Sequence, residues 1–96
     1  MTDPTADLTD LRADIDRIDA EIADLIAERV ERAEAVADVK SSAGRALVDE
    51  DREATVASHH ATLFAERGLD PDDGRALAEF LIDVALDRER TVDGEA

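Results

Sequence analysis

At 96 residues the chain is the size of one small domain, and a domain this short leaves so much surface uncovered that association with a second copy is expected. Its 26 acidic against 11 basic side chains, a net charge of −15 and a pI near 4.2 exclude nucleic acid and anionic membrane surfaces as partners, since holding those needs clustered Lys and Arg. The absence of cysteine excludes disulfides and thiolate metal sites, and with Phe64 and Phe80 the only Phe, Tyr or Trp residues there is no stacking platform for bases, so the core must be aliphatic.

The opening Met-Thr-Asp-Pro-Thr-Ala-Asp has neither the basic start nor the apolar run of a secretory signal, and no stretch approaches the ~20 apolar residues of a membrane span. The reading is a cytoplasmic protein. Asp outnumbers Glu 16 to 10 and Arg outnumbers Lys 10 to 1, a surface composition suited to concentrated salt, where screening relieves like-charge repulsion. A disordered acidic segment is the competing reading, and a hydrophobic fraction of 44% with strong periodicity argues against it.

From Leu8 the apolar residues step by three and four through Leu11, Ile15, Ile18, Ile22 and Leu25, then, after two arginines, Val36 and Val39. That spacing predicts one long amphipathic helix over about 6–43, a rod of roughly 35 residues and roughly 50 Å that nothing else in so short a chain can cover. Ser41-Ser42-Ala43-Gly44 ends it with a left-handed cap at Gly44, and Arg45 to Val48 makes a short connection. Asp49 is the expected N-cap of a second helix, about 49–67, carrying Val56, Leu63 and Phe64 and stopped by Gly68. Asp70 then caps a third helix, about 71–91, with Pro71 at its first position and Leu77, Phe80, Leu81, Val84 and Ala85 expected on one face. The fold class is all-α: three helices in a single domain over 1–96, with no strand signal and no internal repeat.

Lys40 is the only lysine, and it interrupts the mostly apolar face of the long helix. At ~100° per residue Val36 and Lys40 each fall within roughly 20° of Arg29, and the two cations stand about 16 Å apart along the axis. Long side chains can converge across that gap on one small anionic ligand; the alternative is that Glu residues of neighbouring helices satisfy them structurally. Arg12 lies about 42 Å from Lys40 along the same straight helix, so it is either a surface residue or a contributor to the site of a partner chain packed antiparallel. His59 and His60 point about 100° apart and lack matched ligands, which makes them surface histidines rather than a metal site. The Asp70-Pro-Asp-Asp cluster is explained by capping, without the alternating ligands of a calcium loop.

Taken together, Leu11-Arg12 with Ile15 and Asp19, the block Leu25-Ile-Ala-Glu-Arg29, Val36 with Lys40, the stretch Val48-Asp49-Glu-Asp-Arg52-Glu53 and the turn Gly68-Leu69-Asp70 resemble the all-helical class of chorismate mutases over about residues 7 to 91. The resemblance implies an intertwined homodimer with two active sites, each using both subunits. It implies conversion of chorismate, a small dianion, to prephenate on the way to phenylalanine and tyrosine, with no cofactor and no metal. It also implies that Arg12 of the partner and Arg29 hold the two carboxylates, that Lys40 hydrogen-bonds the ether oxygen of the breaking bond, and that Glu53 receives the ring hydroxyl, supported by Asp49 and Arg52. Two positions depart from the family pattern: Ala85 stands where serine is common and Glu89 where glutamine is the second donor to the ether oxygen. Glu89 donates only when protonated, so activity is expected to improve on mild acidification, and a Glu89→Gln variant with an unchanged pH profile would exclude it as the titrating donor. Alternatives are an isochorismate-pyruvate lyase of the same fold, recognisable by pyruvate release, and a non-catalytic helical dimerisation or regulatory module.

Overall fold

The computed structural model describes residues 4–45 and 49–94, with side chains described for 7–45 and 49–88. Three helices follow in order: α1 over Pro4–Ser42, α2 over Glu50–Glu66 and α3 over Pro71–Gly94. Among the described residues there is no strand. Pro4 and Pro71 open their helices, positions where a missing N–H costs nothing because the first-turn donors lack intrahelical partners anyway. α3 runs on to Gly94, beyond the end expected near residue 91, since Thr91-Val-Asp carries no helix stop ahead of that glycine.

Both inner helix ends close with the same device. Gly44 and Gly68 have φ of +71° and +75°, and the residue after each glycine donates its N–H back across the last turn. Arg45 N–H reaches the Lys40 carbonyl at 2.7 Å and Leu69 N–H the Phe64 carbonyl at 2.9 Å, while Gly44 and Gly68 N–H reach Ser41 and Ala65. Glycine tolerates the left-handed conformation that this pair of hydrogen bonds needs, so α1 ends at Ser42, two residues past Lys40, and the chain reverses sharply after α2. At the start of α2 the Asp49 carboxylate accepts from Arg52 N–H at 3.0 Å, satisfying one orphan donor. Asp70 does the same for Asp72 at 2.9 Å.

α2 and α3 form a tight hairpin whose buried seam is Val56, Ala61, Gly74, Ala78, Leu81 and Ala85. Small residues dominate because the helices approach closely: Ala78 is 0% exposed, and Gly74 sits against the backbone at His60. Phe80, expected on the buried face, is 53% exposed because it lies about 100° round the helix from Leu81. α1 packs against α3, tied there by an Arg88 Nε to Glu34 Oε1 ion pair of 3.0 Å, whereas no close backbone approach joins α1 to α2 among the described residues.

In the N-terminal half of α1 every residue from 7 to 25 is exposed. Leu8, Leu11, Ile15, Ile18, Ile22 and Leu25 retain 44 to 63% of their surface. The radius of gyration is 17.9 Å where a compact chain of this length has about 12 Å. Likewise the accessible surface is 7337 Å², against about 5,400 Å² for a compact chain of this mass.

Candidate functional site

Where α1 stands away from α2, a cavity of about 290 Å³ opens between the three helices. The α1 wall carries Arg29, Arg32, Val36 and Lys40, the start of α2 supplies Asp49, Arg52, Glu53 and Val56, and α3 supplies Ile82, Ala85 and Leu86. Helical spacing explains the α1 wall, since steps of three and four residues keep one face turned to the hollow. The two caps explain the rest. The glycine cap at 44 leaves Lys40 in the last turn of α1, and the Asp49 cap starts α2 so that Glu53 falls one turn in, on the cavity side.

The floor is apolar and the walls are charged. Val56 and Ala85 are buried at 7% and 6% exposure, Arg29, Lys40, Asp49 and Glu53 are half-buried, and Arg32, Val36 and Arg52 form an exposed rim. Four cations face two carboxylates among the described lining residues, a positive surplus of two inside a chain of net charge −15. One Asp49 oxygen is already engaged by the backbone of Arg52, which makes that carboxylate a brace for the α2 terminus. Such a hollow favours a small anion with an apolar body: cations to clamp it, low-dielectric walls to strengthen each contact, and an acceptor at Glu53 for a donor on the ligand.

Of the site residues expected from sequence, the structure gathers Arg29, Lys40, Asp49, Arg52, Glu53 and Ala85 around this one hollow. Arg12 is not among them; it lies in the exposed half of α1. Glu89 falls within α3, but its side chain lies outside the described residues, as does the connection through Val48. Sequence reading missed Arg32, which lines the cavity beside Arg29. The signal was present, since Arg32 stands three residues after Arg29 and four before Val36.

Neither histidine enters the site: His59 is exposed and His60 Nδ1 lies 3.0 Å from the Val56 carbonyl oxygen within α2. No trio of His, Asp or Glu among the described residues is arranged to hold a metal ion, and no helix there is long and apolar enough to cross a membrane. Compared with known families, residues 11–90 match the model of the family described as chorismate mutase type II. Among curated proteins and among solved structures, nothing matches.

Proposed function

We propose that this chain, which belongs to the chorismate mutase type II family, itself catalyses the rearrangement of chorismate to prephenate, the isomerisation that feeds phenylalanine and tyrosine synthesis. The observation that carries the reading is the cavity wall on which Arg29, Arg32 and Lys40 face Glu53 across an apolar floor. A pericyclic rearrangement moves no proton to or from the enzyme and forms no covalent intermediate, so the enzyme has only conformation and charge to manage. Cations that clamp both carboxylates hold the flexible side chain folded over the ring, in the geometry from which the new bond forms. Lys40, at the half-buried end of α1, donates toward the ether oxygen as negative charge grows there in the transition state. Glu53 accepts from the ring hydroxyl, Asp49 and Arg52 hold that end in place, and Ala85 closes the floor. Glu89 is the second donor to the ether oxygen in its protonated form. Even an acceleration at the low end for enzymes, ~10⁶-fold, needs about 8 kcal/mol, a sum within reach of several desolvated charge-assisted contacts acting together.

The working form in this reading is a homodimer wrapped around its long helices. Its support is the uncovered stripe on α1, whose steps of three and four residues run from Leu8 to Val39 in the period that packs helix against helix. If two such stripes pair antiparallel about their common centre, residue 12 of one copy falls opposite about residue 35 of the other, next to Val36 on the cavity wall. Arg12 then completes the site of the partner, clamping the carboxylate that Arg29 does not.

Ultraviolet absorbance of chorismate, followed with native protein and with Lys40→Ala, tests the reading. Native protein is expected to consume chorismate without releasing pyruvate. The Lys40→Ala dimer should retain its size and lose about 10²- to 10³-fold in rate. A native dimer that leaves chorismate untouched, or a Lys40→Ala protein as active as native, contradicts it.

A further inference from the structure

The stripe on α1 advances without a break through Leu8, Leu11, Ile15, Ile18, Ile22, Leu25, Arg29, Arg32, Val36 and Val39. Two consecutive positions of an otherwise apolar seam therefore carry guanidinium groups. Arg32 lines the same cavity on its exposed rim. Arg32 forms no ion pair with Glu28, one turn earlier, or with any other described carboxylate. Along the axis Arg29 and Arg32 are about 4.5 Å apart and about 60° apart around it, so their side chains can reach one planar anion together.

We propose that Arg32 is a substrate-binding residue that shares with Arg29 one carboxylate of the dianionic substrate. The proposal rests on the chorismate reading for the identity of that substrate. Beside Arg29 on the cavity wall, Arg32 offsets locally the repulsion of a chain with net charge −15 for an anionic substrate. Its contact is made with substrate and transition state alike, so its loss raises KM and leaves kcat nearly unchanged.

The test compares native protein with Arg32→Gln and with Arg32→Leu, the second of which completes the apolar stripe and keeps the helices paired. Chorismate turnover and calorimetric titration with prephenate are measured, with far-ultraviolet dichroism and sizing as controls. Both variants are expected to raise KM about tenfold, the loss of one partly exposed charge-assisted contact, with kcat within twofold and prephenate binding weakened in proportion. KM and prephenate affinity within twofold of native in the Leu variant overturn the proposal. If native protein itself fails to turn over chorismate, the functional reading falls separately, and titration with malonate, a simple dicarboxylate, decides the matter for Arg32. Weaker malonate binding by both variants supports the proposal, and equal binding overturns it.

Discussion

A Cβ built on Gly74 lies 2.5 Å from the His60 carbonyl oxygen and 3.0 Å from Phe64 Cγ, so even one added methyl group must push α3 off α2. Backbone cannot yield as a flexible side chain does. Gly74→Ala is therefore expected to cost about 2 kcal/mol and to lower Tm by roughly 10 °C, read by thermal denaturation; a variant as stable as native would contradict the close approach. This position was invisible in the sequence, where Asp-Asp-Gly-Arg reads as an ordinary helix start and nothing signals which neighbour presses on it. Asp49 and Gly68 were legible for the opposite reason. Their work is done within three to five residues of themselves, on Arg52 N–H, the Ala65 carbonyl and the chain reversal at Leu69. Arg32 falls between the two cases: its place on the stripe was readable, but its place on a cavity wall depended on where α2 and α3 lie.

At the scale of the helices, local periodicity carried most of the information. α1, α2 and α3 arise from apolar spacing, caps and prolines that act within a few turns, and the all-α class follows from them. What spacing does not encode is which element leans on which. α1 rests on α3 through the Arg88 to Glu34 pair and stands off α2, and that offset creates the hollow. Phe80 on the exposed flank of α3 is the same lesson, since a three-residue step in the pattern does not say how wide the covered face is. The stripe from Leu8 to Leu25 lies exposed, and burying such residues is worth about 1.5–3 kcal/mol for each one fully covered. Placing a charge there separates the two copies in the proposed dimer. Ile22→Asp, opposite Leu25 in that pairing, is expected to sediment as a monomer and to lose nearly all activity although residue 22 lies outside the cavity lining; a dimeric, active Ile22→Asp would contradict that role for the stripe.

For the whole molecule, charge and shape pull against each other. A net charge of −15 on 96 residues repels itself, and pairing two copies doubles that charge in one particle. Screening at high ionic strength should therefore raise helicity and Tm and tighten the dimer; equal helicity in pure water and in molar salt would contradict a surface adapted to salt. The 64 Å length of a chain this small is explained if half of α1 serves another copy, so that a site assembled on one copy's α1, α2 and α3 is finished by Arg12 of the other. Subunit mixing tests that sharing most directly. Arg12→Ala and Lys40→Ala proteins, each nearly inactive, are unfolded together in equal amounts, refolded and assayed with chorismate. Half the dimers should then be mixed, each with one site holding both an intact Lys40 and the partner's intact Arg12, so activity should return to about a quarter of native. A mixture that stays as inactive as its components would show that Arg12 serves only its own chain, and an Arg12→Ala protein as active as native would show that it serves no site.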